Sequence, residues 1–214
     1  MKQTAKLIVV LLAVFLAACG KKTVEKIYEE LEKAVELEQP FAEQQQPLQE
    51  AEKKENELFT KIVQLGLANS EEIKRLVEEA LASIESREAM LETEKESIAL
   101  SFQQLERLHE YVERLDEPLA TTLAEMIATV KKRYEAYEAL YDVYRESLEE
   151  DRILFQMFLD EEATLQQIQA QIETVNELYE RVDANKDRFN RLTTEYNEKK
   201  RAFYEKAELP VEFE

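Results

Sequence analysis

Apolar residues recur three or four positions apart along most of the chain, the spacing that lines one face of an α-helix. Early in the chain, Val24, Ile27, Leu31, Ala34 and Val35 fall on one stripe, with Thr23 suited to cap its start. Pro40 has no amide hydrogen and restrains Gln39, so it ends or kinks this helix. Pro40, Phe41, Gln44, Gln45, Gln46 and Pro47 belong to the least regular stretch, read as a bent connection or a kinked helix. A second pattern runs from about Leu48 through Ala51, Leu58, Phe59, Ile62, Val63 and Leu65. Gly66 then supplies a stop.

The later periods are longer. Asn69 and Ser70 precede Glu71 and Glu72, a helix start with acids in its first turn, and Asn69 with Glu72 forms a variant capping box. Ile73, Val77, Ala80, Ile84, Leu91, Ile98, Phe102, Leu105, Val112 and Leu115 follow as a heptad-like seam, interrupted by Arg87 and Glu94. Asp116-Glu117-Pro118 restarts the chain, with Pro118 suited to a first helical position. The next helix carries Leu123, Ile127, Val130, Tyr134, Tyr137, Tyr141, Tyr144, Leu148, Phe155 and Phe158. Residues 159–163 read as a turn, because Thr164 and Gln167 form a fresh capping box; a continuous helix is the alternative. Ile168, Ile172, Val175, Tyr179, Val182, Phe189, Leu192, Tyr196 and Phe203 line the last helix, which Pro210 ends.

The pattern predicts three long helices of about 40–45 residues, each roughly 65 Å long. A proline-kinked N-terminal helical arm completes an all-α, elongated, antiparallel, coiled-coil-like bundle without β-sheet. One domain is expected over residues 23–214.

Composition narrows the function classes. Two glycines and no tryptophan in 214 residues argue against glycine-rich sandwiches and open sheets with nucleotide-binding loops. The 44% hydrophobic content supplies a core and argues against plain disorder. A net charge of −19 repels nucleic acid, anionic lipid and, without divalent cations, anionic wall polymers.

The N-terminus breaks the helical pattern. Leu7 to Ala18 is an unbroken apolar run behind a short region whose charges are Lys2 and Lys6. It falls short of the about 20 residues that a membrane-spanning helix needs and fits a secretory signal over residues 1–18. Leu16-Ala17-Ala18-Cys19-Gly20 resembles the lipobox of bacterial lipoproteins. That resemblance implies recognition by a signal peptidase through Leu16, Ala17, Ala18 and Gly20, and diacylglycerol and palmitate attachment at Cys19. Cys19 is the one cysteine in the chain, so no intramolecular disulfide competes for it. The alternative is an ordinary signal with a chance cysteine. Two acyl chains hold a protein stably where one does not, and residues 19–22 form a short tether carrying Lys21 and Lys22. Removing residues 1–18 takes away Lys2 and Lys6 and no acid, moving the net charge from −19 to −21.

Several strings resemble a known family. Leu37-Glu38-Gln39-Pro40-Phe41-Ala42-Glu43-Gln44-Gln45-Gln46-Pro47-Leu48, Glu52-Lys53-Lys54-Glu55-Asn56-Glu57-Leu58 and Leu65-Gly66 are similar to the YkyA family, cell-wall binding lipoproteins of Bacillus-type bacteria. Residues 79–87 and 94–98 are similar as well. The resemblance covers the first half of the chain; the second half shares mainly the helical pattern. It implies an exported lipoprotein at the cell wall of a Gram-positive bacterium and transfers no catalytic residue.

Candidate chemistry is sparse. His109, the one histidine, stands three residues after Glu106. A di-iron bundle needs that pair twice, so a helix-surface interaction is the better reading, and no metal or cofactor is expected. Cleavage of glycan by paired carboxylates carries no information among 47 acids. The stripe Tyr134, Tyr137, Tyr141 and Tyr144 reads as core packing with hydroxyls at the bundle edge, ahead of an aromatic platform for sugar or peptide. The runs Glu149-Glu150-Asp151 and Asp160-Glu161-Glu162 lack the glycine-turned loop of a calcium site and read as solvated surface. Gln44, Gln45 and Gln46 form either a solvated kink or a polar recognition turn between Pro40 and Pro47.

Together these readings predict a non-enzymatic protein, lipid-anchored on the extracellular face of the cell membrane. It would bind cell-wall polymer or an envelope protein through a long helical surface. A wall-active hydrolase, or an accessory factor to one, is the alternative.

Overall fold

Helix α1 covers residues 22–37, and its Ile27, Leu31 and Ala34 are buried on the expected stripe while Val35 is exposed. In this computed structural model the described residues are 22–66 and 70–211. Helix α2 runs Gln39–Leu65, α3 Ser70–Glu106, the short α4 His109–Val112, α5 Glu117–Met157 and α6 Leu165–Lys206. No strand occurs among the described residues, so the chain is all-α. Asn69 and residues 1–21 lie outside the described part.

Helix ends follow local chemistry. Gly66 stops α2 with φ of 58°, a left-handed conformation in which its amide bonds the Val63 carbonyl. Asp116 caps α5 by accepting a hydrogen bond from the Leu119 amide at 3.2 Å, which makes Pro118 the second helical residue, not the first. The α5–α6 break is a full turn, and the Thr164–Gln167 capping box forms as read. Helix α6 ends at Lys206, ahead of Pro210. Glu208 takes φ of 53°, and the amides of Glu208 and Leu209 bond the carbonyls of Glu205 and Tyr204. That is a Schellman motif with glutamate where glycine is usual.

Of the two readings of the proline stretch the helical one holds, but the helix begins earlier than the Leu48 pattern placed it. Helix α2 starts at Gln39, nine residues before Leu48, and continues through Pro47. Pro40 sits in the first turn, where its missing amide costs little. Pro47 removes one interior hydrogen bond, and an interior proline costs about 3 kcal/mol. Tertiary packing offsets that cost. The Phe41 ring meets Tyr137 at 6.0 Å and Phe189 at 5.7 Å, and its amide donates to Ser97 Oγ at 3.2 Å.

The described residues divide into two compact units: those within 1–37, 99–134 and 191–214, and those within 38–98 and 135–190. In the first, Ile27, Leu31, Leu105, Leu123, Met126 and Phe203 belong to one apolar core. There Arg133 donates to Thr193 Oγ1 at 2.8 Å and Lys206 to Thr122 Oγ1 at 2.7 Å, so residue numbers rise on α5 as they fall on α6. These two helices are therefore antiparallel. In the second unit α2 and α3 are antiparallel by the same logic: Lys54 pairs with Glu79 and Gln45 with Glu94. Its apolar seam includes Ile62, Val77, Ala80, Ile84, Leu91 and Ile98, whereas Val63, predicted on the stripe, is exposed.

Candidate functional site

Four helices of the second unit converge on Arg87. Its place on the apolar seam of α3 looked like an interruption, yet the residue is fully buried. Its Nη1 lies 2.6 Å from Glu55 Oε2 on α2 and 3.4 Å from Asp151 Oδ2 on α5. Nη2 lies 3.4 Å from Glu52 Oε1. Tyr144 on α5 accepts from Nη2 at 2.8 Å and Tyr179 on α6 from Nη1 at 3.1 Å. Each phenol in turn donates a hydrogen bond: Tyr144 to Glu52 at 2.6 Å and Tyr179 to Asp151 at 2.6 Å.

The electrostatics follow from burial. Desolvation raises the Glu55 carboxyl above its ordinary value, against the opposing pull of Arg87 and the Ser83 hydroxyl. Desolvation also raises Asp151, against its Tyr179 and Arg87 hydrogen bonds. Burial by itself would lower Arg87, but Tyr179, Tyr144 and Glu55 outweigh it and leave the pKa raised. The guanidinium therefore stays charged. Burial pushes the Tyr144 and Tyr179 phenols up, so both remain protonated donors. Three carboxyls face one guanidinium, and the Glu55 Oε1 atom is buried without a hydrogen-bond partner.

One turn pair further along α3, Glu94 is also buried and accepts a hydrogen bond from Gln45. Burial lifts its pKa to about 8, with Glu52 adding to the shift and Gln45 opposing it. The Tyr137 hydroxyl is buried with no partner; desolvation first, and the nearby Glu94 second, raise its pKa.

A half-open cleft of about 390 Å³ lies against the cluster. Glu52, Glu55, Asp151 and Tyr179 line it together with the apolar walls Phe59, Leu154, Phe155, Ile172 and Val175. Asn56, Thr60 and Asn176 stand along it as well. No group of three or more His, Cys, Asp or Glu placed to hold a metal ion occurs among the described residues.

The sequence-derived sites fare differently. Leu16, Ala17, Ala18, Cys19 and Gly20 lie outside the described residues. Pro40 and Pro47 sit within α2; Phe41 and Gln45 turn to internal partners, while Gln46 is exposed and bonds Glu50. Gln44 is half-buried. His109 is exposed at the start of α4, and Glu106 is the last residue of α3, so the two share no helix. The tyrosine stripe is core: Tyr137, Tyr141 and Tyr144 are buried and Tyr134 stacks on Phe102 at 4.1 Å. Within the run Glu149-Glu150-Asp151 the expectation of solvated surface fails for Asp151, which is only 6% exposed. It sits on the α5 face that meets α6, where Tyr179 and Arg87 replace its water.

An all-α bundle with an ionic cluster in its core is thus the class that fold and site define. A family model described as "Putative cell-wall binding lipoprotein", YkyA, matches residues 22–206. The chain belongs to the YkyA family of lipoproteins. It is similar to the uncharacterized lipoprotein YkyA of Bacillus subtilis (strain 168), with 31% identity over 198 residues, 92% of this chain and 89% of that protein. It also shares its fold with a Staphylococcus aureus protein of unknown function solved at 1.6 Å, with a TM-score of 0.76 at 14% identity. That match covers 88% of this chain and 95% of the other. No described helix is long and apolar enough to cross a membrane.

Proposed function

We propose that the protein is a non-enzymatic cell-envelope lipoprotein, fixed by diacylated Cys19 to the extracellular face of the cell membrane. It uses its helical surface to bind cell-wall polymer or an envelope protein. Family membership over residues 22–206 carries this reading, and the Leu16-Ala17-Ala18-Cys19 pattern supports the anchor. The Arg87 cluster supports a structural rather than a hydrolytic role for its acids. Glu52, Glu55 and Asp151 all pair with the guanidinium, which ties these three carboxyls to a structural partner. The exposed side of α2 around Gln46 is one contact surface in this reading.

Two measurements test it. The body from residue 23 onward is incubated with isolated sacculi, with and without magnesium. Cosedimentation that survives protease treatment of the sacculi supports wall binding, and loss on that treatment supports an envelope protein partner. Release of muropeptides by the pure protein would overturn the non-enzymatic reading. Cys19→Ala is expected to abolish acylation and release the protein from the membrane. Unchanged retention of that variant in fractionated cells would overturn the anchor.

A further inference from the structure

We propose that residues 39–46 of α2 form a hinged segment, held against α3 by the buried Glu94 in its neutral form and released when that carboxyl is ionised.

Three observations carry this inference. First, the segment is bounded on both sides by breaks. A turn at Glu38 precedes it, and Pro47 interrupts the helical ladder behind it by removing an interior amide. Residues 39–46 therefore part from α3 without unzipping the helix beyond Pro47. Second, the segment is tied to α3 by side-chain hydrogen bonds. Gln45 donates to the Glu94 carboxyl, and the Phe41 amide, in the first turn and so free of a helical acceptor, donates to Ser97 Oγ at 3.2 Å. Third, Glu94 is 4% exposed, and its surroundings on balance oppose its charge. From α2 it meets the neutral Gln45 and the acidic Glu52. From α5 it faces the Tyr137 phenol, whose hydroxyl is buried without a hydrogen-bond partner and which Tyr141 and Glu92 also influence. From α6 Phe189 packs on both Tyr137 and Phe41. The cations on its own helix are engaged elsewhere: Lys95 lies 3.8 Å from the centre of the Tyr141 ring, and Arg87 pairs with Glu55 and Asp151.

Ionising Glu94 in place buries a charge with Glu52 beside it, a costly state. Moving residues 39–46 away admits water to the carboxylate. Phe41 leaves Tyr137 and Phe189 in the same step, so the open form presents a ring that the closed form hides. Burial raises the closed carboxyl from 4.5 to about 8. The closed form is therefore fully favoured below 4.5, loses ground as pH rises, and has no more to lose above about 8. This device is independent of what the helical surface binds.

The test is amide hydrogen exchange of the intact protein across the pH range of that titration, each rate divided by the intrinsic rate at the same pH. Opening over residues 41–46 is expected to rise with pH, by at most about tenfold per unit, and to level off above about 8. Residues 48–65, beyond Pro47, are expected to change less. Glu94→Gln should remove the rise. Ser97→Ala, which takes away the Phe41 acceptor, should raise opening at every pH and keep the slope. A flat profile over residues 41–46, an equal response on both sides of Pro47, or a slope that survives Glu94→Gln would overturn the proposal. So would exchange indifferent to Ser97→Ala.

Discussion

The two units of the chain solve core packing differently. In the first, the buried polar residues among those described are Thr23, Ser101, Gln104, Thr122, Thr129 and Arg133, so no carboxylate is buried. In the second, Glu55, Glu94 and Asp151 are buried along with Arg87. The first unit is thus held by Ile27, Leu31, Leu105, Leu123 and Phe203 in a contiguous apolar cluster. The second intersperses apolar layers with charges whose stability depends on keeping partners together. Buried ion pairs add little net stability over apolar side chains, but breaking one is severe, because a lone buried charge remains.

Arg87→Met is the largest way to break this contrast. It strands Glu55 and Asp151 and is expected to destabilise the protein by about 3–5 kcal/mol in urea unfolding. Arg133→Met removes a charge-assisted hydrogen bond to the Thr193 hydroxyl and a contact with the Tyr196 ring and is expected to cost less, about 2 kcal/mol. Equal losses at the two sites would erase the distinction. Adding Glu55→Gln and Asp151→Asn to Arg87→Met should recover much of the loss.

The second unit should also respond to pH. The Glu94 carboxyl is raised to about 8, so folding favours its protonated form. Its contribution is fully present below the ordinary value of 4.5 and is lost as pH rises through about 8. Glu55 and Asp151, also raised by burial, act in the same direction. Urea midpoints measured from pH 5 to 9 should therefore fall. Glu94 accounts for at most about 1.4 kcal/mol per pH unit, and Glu94→Gln should flatten the profile by that share. An unchanged slope in that variant would place the titration elsewhere.

The smallest effect, that at Tyr137, comes from comparing two phenols. Tyr137→Phe removes a buried hydroxyl that has no partner and should be neutral or stabilising by about 1 kcal/mol. Tyr144→Phe removes bonds to the charged Arg87 and Glu52 and should cost about 2 kcal/mol. Thermal unfolding of the pair reads the sign directly.

Much of the fold was legible because helix ends and apolar faces are written locally. Gly66, Asp116 and the Thr164–Gln167 pair each act within a turn of themselves. The start of α2 was not legible, since two prolines weigh against a helix that Phe41 and Ser97 secure from distant sequence. Glu208 escaped notice because glutamate rarely takes the left-handed cap. Arg87 and Glu94 were visible as polar breaks in an apolar seam, which was the available signal. Their partners were not. Glu55 is 32 residues from Arg87 and Tyr179 is 92, and with 47 acids in the chain nothing in the spacing singles out Glu52, Glu55 and Asp151.

Nine tyrosines and no tryptophan make phenols the chain's dominant ultraviolet chromophores. Tyr144 and Tyr179 each donate a hydrogen bond to a carboxylate while accepting one from a guanidinium, a setting that differs from solvent. The near-ultraviolet absorption and emission of these phenols thus respond to whether four helices still meet at Arg87.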